Sequence, residues 1–253
     1  MVKLLHDGKA ALVDFNTRVD AAFLDAHPGL TVIGSNTTGE DHLDRAECDR
    51  RGVEVITLRG ETSFLESVTS TAEHSWGLVL ALARSYKRTL HGEHHVGMKL
   101  AGKTLGIVGN GRIGKMVARM AEAFGMDVLV YDQLDIYKDR INLLRKSDFV
   151  SVHIPLEGNV DLFTEWTFRW MKPTAYFVNT SRDGIVKKGE LRKALEHGVI
   201  AGAAVDFIGS ADLVEYAKTH DNLILTDHCG GSTREDRALT ENFILKKIDA
   251  HFV

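Results

Sequence analysis

The sequence predicts an α/β protein with two mostly parallel sheets, a larger doubly wound one and a smaller one ahead of it. Three observations carry this. Nine short β-type runs alternate with helical patterns along the 253 residues. Most of the runs are apolar throughout, as strands covered on both faces require. Three of them precede residue 60 and six follow residue 100, which separates two layered units.

In chain order, ALVDF (11–15), LTVIG (30–34) and VEVIT (53–57) form the first sheet. TSTAEHSWGLVLALARSYKR (69–88) is apolar enough for a buried helix joining two lobes. Ser70 or Thr71 can cap it, and Glu73 suits the positive end of its dipole. TLGIVG (104–109), DVLVYD (127–132), FVSVHI (149–154), AYFVN (175–179), GAAVD (202–206) and LILTD (223–227) supply the second sheet. The last segment carries Leu239, Phe243, Ile244 and Ile248 at helical spacing, an amphipathic helix able to pack back on a lobe. The expected division is a small lobe at 1–70, a large domain at 71–230 and a C-terminal helix at 231–253 returning to the small lobe.

Composition narrows the function. With 44% hydrophobic and 26% charged residues and a net charge of −4, the chain has no electrostatic reason to bind nucleic acid or an anionic membrane. No apolar run approaches the roughly 18 residues needed to span a bilayer, and MVKLLHDGKA lacks the apolar core of a signal peptide. Cys48 and Cys229 are far apart and without metal-site spacing, so a reducing, cytoplasmic compartment is expected. His91, His94 and His95 lie in a glycine-containing stretch with no further ligand pattern. They are read as a solvated loop, and no metal is expected. Trp76, Trp166 and Trp170 are read as core or interface residues.

The strongest local motif is KTLGIVGNGRIGKMVARMAEAFGMDVLVYD (103–132). Gly109, Gly111 and Gly114 form G-x-G-x-x-G after a strand. Ile113, Val117, Met120, Ala121 and Phe124 then mark one helical face, Gly125 ends the helix, and the next strand ends at Asp132. Gly109 permits a tight turn, Gly111 lets backbone approach a pyrophosphate, and Gly114 lets helix and strand pack closely. The helix N-terminus offers free N–H groups and a positive dipole end. Asp132 can accept from both ribose hydroxyls and would repel a 2′-phosphate, which favours NAD over NADP. The unit therefore reads as a Rossmann domain.

Other strand ends then become informative. FVNTSRDGIVKKGEL (177–191) puts Arg182 just past a strand, AGAAVDF (201–207) puts Asp206 at the end of the next, and LTDHCGGST (225–233) puts His228 at the end of the last. Taken singly, such an arginine or histidine is commonly a solvated turn residue and such an aspartate a helix cap. Strand ends of one sheet converge on one crevice, however. In this order, with the glycine motif, the chain resembles the D-isomer-specific 2-hydroxyacid dehydrogenases, a group that includes phosphoglycerate, glycerate and formate dehydrogenases. GSNTTGEDHLD (34–44) and STAEHSWGLVLALAR (70–84) resemble that family's substrate-lobe loop and interdomain helix.

The resemblance implies a small, truncated flavodoxin-like α/β substrate lobe beside the Rossmann domain. It also implies a homodimer and a small D-2-hydroxy acid or 2-keto acid as substrate. By resemblance, Arg182 anchors the carboxylate and polarises the carbonyl, a task suited to a planar, permanently charged guanidinium. Backbone N–H groups around Thr38 and Gly39 give the second carboxylate contact. His228 donates the proton in reduction and accepts it in oxidation, as a near-neutral imidazole can. Asp206 holds the nicotinamide carboxamide, and Ile154, Thr180, Gly230 and Gly231 line the cofactor. Arg112 and Ile113 offer N–H groups to its pyrophosphate.

Three departures bear on activity. The family's glutamate, five residues after the Asp206 position, bonds to the histidine; here that residue is Ala211, followed by Asp212. Either Asp212 takes over, or Asp227 helps, or His228 works unsupported, or the chain is a non-catalytic NAD(H)-binding sensor or scaffold. Asp183 stands where the family has glycine, and could pair with Arg182 or point away. Finally, the family's substrate lobe has about five strands, whereas three fit here. The resemblance thus leaves the first strand's edge to be covered or paired, and QLDIYKDRINLLRKSD after Asp132 is short.

Overall fold

A computed structural model describes residues 2–92, 94–132, 139–207 and 211–253. The chain divides into two compact units, Met1–Val68 with Ser232–Val253, and Thr69–Gly231.

The first unit holds β1 (Val2–Leu5), β2 (Ala10–Val13), β3 (Val32–Ser35) and β4 (Glu54–Ile56), side by side in that order. β2, β3 and β4 run parallel. β1 runs antiparallel to β2, with Val2 opposite Val13 and Leu5 opposite Ala10. It pairs the β2 edge that the sequence left open. The strand is hard to read because VKLL is short and mostly exposed, so no burial pattern marks it. Its hairpin turns through His6, Asp7 and Gly8, all with positive φ.

Both faces of this sheet are covered. Ala11, Val13 and Ile33 meet Leu24 of α1 (Ala21–Ala26) and Cys48 of α2 (Arg45–Arg51). Ala10, Leu12 and Val32 meet Leu65 of α3 (Thr62–Leu65) and Ile244 and Ile248 of the C-terminal helix, α11 (Arg234–His251). Caps set the helix starts: Asp20 accepts from the Phe23 N–H, Asp44 from the Glu47 N–H and Thr233 from the Asp236 N–H. Of the face expected on α11, Ile244 and Ile248 are fully buried but Leu239 is exposed. A Cβ on Gly34 would lie 2.5 Å from Ile248 Cδ1 and 2.6 Å from Ile244 Cγ2. The bare glycine in β3 is what lets α11 lie this close.

The second unit is a six-stranded parallel sheet: β5 (Thr104–Val108), β6 (Asp127–Tyr131), β7 (Phe149–Val152), β8 (Tyr176–Asn179), β9 (Gly202–Val205) and β10 (Leu223–Leu225). Its order is β10-β9-β8-β7-β5-β6. The direction of winding reverses between β5 and β7, which opens a crevice at the strands' carboxyl ends, as in Rossmann folds.

Side chains alternate between two cores. Leu105, Ile107, Phe149, Val178 and Ala204 face α4 (Ser70–Ala83) and α6 (Arg112–Ala123). A short α5 (Tyr86–Leu90) follows α4. Val150, Val152, Phe177, Ala203 and Val205 face α7 (Arg140–Lys146), α8 (Glu165–Arg169), α9 (Glu190–Glu196) and α10 (Ala211–Thr219).

Some local expectations change. Neither Ser70 nor Thr71 caps α4. Thr69 occupies that position without a side-chain bond to the backbone, and its hydroxyl donates to Glu73 Oε1 at 2.6 Å. On α6, Met116 is buried with Val117 and Ala121, while Phe124 is half exposed with its ring edge-on to Trp76. Gly125 follows with φ +76, the left-handed residue that closes the helix. Trp76 is a core residue, but Trp166 is 71% exposed, with the Arg169 guanidinium 5.9 Å from its ring centroid.

Gly34→Ala forces a methyl into Ile244 and Ile248. It is expected to cost about 1–3 kcal/mol, read as a lower urea midpoint with an unchanged slope; an unshifted midpoint would mean that α11 yields freely.

Candidate active site

The turn after β5 shows why two of its three glycines are required. Gly109 has φ +104, and a Cβ there would lie 2.5 Å from the His153 carbonyl oxygen. At Gly114 a Cβ would stand 2.0 Å from the Gly109 carbonyl oxygen, so only glycine lets α6 approach β5. A Cβ on Gly111 would meet nothing within 4 Å; the glycine N-caps α6 in extended conformation, facing open space. Arg112 and Ile113 form the first turn behind it. Asp132 follows β6, half-buried, and its Oδ2 accepts the Asn110 N–H at 2.7 Å. Bare backbone, a helix N-terminus and a carboxylate at the next strand end together fit a dinucleotide.

At the end of β7, His153 and Ile154 back this turn. Burial of its ring pushes the His153 imidazole down to about 3, and its Nε2 lies 2.8 Å from Ser151 Oγ. It is a neutral wall of the crevice at any ordinary pH.

The loop after β8 is tied down on both sides. Buried Asn179 accepts the Ser181 N–H through Oδ1 (2.9 Å) and donates to the Arg182 carbonyl through Nδ2 (3.0 Å). Ser181 Oγ donates to the Val152 carbonyl at 2.8 Å. Thr180 Oγ1 lies 2.7 Å from Ser75 Oγ of α4. On this platform Arg182 is half-buried, and its Nη1 donates to the Ser181 carbonyl at 2.9 Å. Asp183 opens a 3-10 turn, Asp183–Ile185. Loss of solvent raises its carboxyl above the ordinary range; Lys188 opposes this and the like charge of Asp212 adds to it. Asp212, in the first turn of α10, thus exerts its field beside the Arg182 loop. Ala211 is the exposed first residue of that helix. Residues 208–210 of the departing stretch, and 133–138 after Asp132, lie outside the described residues.

The end of β9 carries Asp206, 4% exposed. Its Oδ1 accepts from Thr226 Oγ1 at 2.6 Å and from the Cys229 N–H at 2.9 Å, and its Oδ2 accepts the Gly230 N–H at 2.8 Å. His74 Nε2 of α4 stands 3.4 Å from Oδ1 and 3.1 Å from Thr226 Oγ1. Burial alone would raise this carboxyl. The bonds from His74, Thr226, Cys229 and Gly230 outweigh it and hold the group well below the usual carboxylate range. A Cβ on Gly230 would lie 2.8 Å from Asp206 Oδ2, so any larger residue there would displace the carboxylate.

The chain that Asp206 pins carries His228. This residue is exposed, just past β10, with φ +48. A left-handed conformation costs an ordinary residue about 1 kcal/mol and persists where the surroundings over-determine it. Here the two N–H groups after it are both fixed to one carboxylate.

In the first unit, Thr38 is exposed and Gly39 half-buried in the loop after β3. Thr37 Oγ1 braces that loop by donating to the Gly39 carbonyl at 2.8 Å. His91, His94 and His95 are exposed. Cys48 and Cys229 are both free. No helix among the described residues is long and apolar enough to cross a membrane.

Three contributors escaped the sequence reading: His74, Ser75 and Thr226. A signal existed in Thr71, His74 and Ser75, polar residues at i, i+3 and i+4 on an otherwise apolar helix.

The family model for the D-isomer specific 2-hydroxyacid dehydrogenase NAD binding domain matches residues 71–230. Glyoxylate reductase of Thermofilum pendens is 33% identical, over 94% of this chain and 76% of its own length. D-3-phosphoglycerate dehydrogenase of Bacillus subtilis is 32% identical, over 91% of this chain and 47% of its own. The crystal structure of D-lactate dehydrogenase from Aquifex aeolicus, complexed with NAD and lactic acid, aligns with a TM-score of 0.80 at 25% identity. That alignment covers 96% of this chain and 83% of that one.

Two outcomes test this geometry. Asp206→Asn turns an acceptor into a partial donor facing two N–H groups, and is expected to cost about 2 kcal/mol or more in urea unfolding. An isoenergetic variant would show that the turn holds itself. His153 has a depressed folded pKa, so its contribution is fully present above about pH 6.5 and is lost as pH falls towards 3. Wild-type stability is expected to drop by up to about 1.4 kcal/mol more per pH unit in that window than that of His153→Gln. Parallel pH profiles would mean that the imidazole titrates normally.

Proposed function

The chain belongs to the D-isomer specific 2-hydroxyacid dehydrogenase family, and from that premise we propose an oxidoreductase acting between a small D-2-hydroxy acid and its 2-keto acid. Its cofactor is NAD, which when bound supplies the hydride in reduction and takes it in oxidation. Everything else falls to the chain's own residues.

Arg182 holds the substrate carboxylate and draws electron density from the adjacent carbonyl. His228 gives a proton to the carbonyl oxygen in reduction and takes one from the hydroxyl in oxidation. N–H groups around Thr38 and Gly39 are the proposed second carboxylate contact. Asp206 accepts from Thr226 and the Cys229 N–H on Oδ1, with His74 beside them, and from the Gly230 N–H alone on Oδ2. The second lone pair of Oδ2 is proposed for the nicotinamide carboxamide. Asp132 is the proposed ribose acceptor, the Gly111–Gly114 turn the pyrophosphate cradle, and Ile154, Thr180, Gly230 and Gly231 the lining. By resemblance, the chain acts as a homodimer in the cytoplasm.

One observation carries this reading. Asp206 pins a histidine in left-handed conformation at a strand end, in the same parallel sheet whose other strand ends bear Arg182 and the glycine turn. A second reading rests on Ala211, which opens α10 where the family's glutamate is expected. On that reading the chain is an NAD(H)-binding sensor or scaffold without turnover.

The test is a panel of 2-keto acids with NADH and NADPH, beginning with glyoxylate because of the reductases the chain resembles. Turnover that falls roughly 10²–10⁴-fold in His228→Ala, with a raised KM in Arg182→Gln, supports the enzyme. Tight NADH binding with no substrate turned over favours the sensor. Equal use of NADPH would refute the role given to Asp132. Ala211→Glu is expected to raise kcat for reduction about tenfold above pH 7 by stabilising the protonated imidazole.

A further inference from the structure

The cluster behind the His228 turn holds three donors of different softness. His74 Nε2, a carboxylate oxygen of Asp206 and Cys229 Sγ all lie within 4.8 Å of one another. His74 Nε2 is 3.4 Å from Asp206 Oδ1 and 3.9 Å from Cys229 Sγ. A tetrahedral ion with ligand bonds of about 2.0–2.3 Å places its donors about 3.3–3.8 Å apart; the two His74 distances are near that spacing, and the Asp206–Cys229 gap closes to it by a movement of about 1 Å or less. We propose that His74, Asp206 and Cys229 form a three-ligand site for a zinc-class divalent cation, with a fourth position open to solvent.

The electrostatics point the same way. Asp206 is a buried carboxylate, 4% exposed and held in its charged form. Its ion-pair partner among the described residues is His74, which is cationic only when protonated. Its other donors are neutral dipoles, so a negative charge remains at the site, which a dication would neutralise. Room exists on the carboxylate. The Thr226 hydroxyl is the one donor to Oδ1 that can rotate its proton away, while the Cys229 and Gly230 N–H groups keep the backbone in place.

His74 would bind through Nε2 with its proton on Nδ1, and the Cys229 thiol proton would pass to solvent. Cys229 is exposed, which gives the ion an entry path. A thiolate, imidazole and carboxylate set selects zinc, cobalt or cadmium over magnesium or calcium.

The site also has a consequence for the cofactor, which rests on the role proposed above for Asp206. An ion on Oδ1 puts positive charge beside the Oδ2 lone pair proposed for the nicotinamide carboxamide and draws the carboxylate away from it, so zinc weakens NADH binding.

The experiment uses the full chain, stripped with a chelator. Cobalt or zinc is titrated alone, with magnesium as control. The expected result is one ion per chain at micromolar or tighter affinity. Cobalt should give a thiolate charge-transfer band in the near ultraviolet. Cys229→Ser should abolish that band, and both Cys229→Ser and His74→Gln should weaken binding at least tenfold. Absence of binding, or affinity unchanged in either variant, overturns the site.

Alkylation of wild type guards against variants that misfold. Zinc should protect Cys229 while Cys48, fully buried, stays unreactive throughout; unprotected Cys229 at saturating zinc overturns the site. NADH binding is measured first on the metal-free chain, where failure to bind sinks the cofactor role without touching the metal titration. Zinc should then raise the apparent Kd of NADH in proportion to its own occupancy. An unchanged Kd at saturating zinc puts the ion elsewhere.

Discussion

The buried carboxylate of Asp206 is the interaction on which the carboxyl end of the larger sheet, around β9 and β10, depends. It collects a hydroxyl and two consecutive backbone N–H groups and sits 3.4 Å from an imidazole. Burying an ionised carboxylate is unfavourable unless several donors compensate it. The chain meets that condition by folding the segment after β10 back onto β9. The same donors that stabilise the charge therefore fix the path of residues 226–230. His228 lies inside that path, and its left-handed backbone is a result of the closure.

Much of this was legible before any coordinates. The nine strands expected from apolar runs are all present, within one or two residues of their expected ends. Continuous apolar runs mark strands buried on both faces, and most strands here are of that kind. The glycine turn was legible too, because Gly109 and Gly114 answer local steric demands that sequence context reveals. Both are needed for close approach, while Gly111 borders open space.

What escaped has physical reasons. β1 is four residues long and mostly exposed, so its pairing with β2 leaves no hydrophobic signature. His74 and Ser75 act across 152 and 105 residues of chain, on Thr226 and Thr180; such separations are set by tertiary packing and no local rule sees them. The cap of α4 failed for a related reason: the Thr69 hydroxyl spends its proton on Glu73 rather than serving the helix backbone. Of the core or interface places read for Trp166, the core is the one it does not take: α8 turns that ring outward towards Arg169.

The departures from the family pattern fall around this same anchor. Ala211 removes a carboxylate from the start of α10, while Asp183 and Asp212 place two carboxylates near the Arg182 loop, where loss of solvent and then the like charge of Asp212 raise Asp183. Negative charge has thus moved from the proposed proton donor towards the proposed substrate anchor. Asp206 stands apart from that exchange because its charge is already committed. Its Oδ1 already takes Thr226 and the Cys229 N–H with His74 beside them, and its Oδ2 takes the Gly230 N–H alone, so Oδ2 is where a further donor fits.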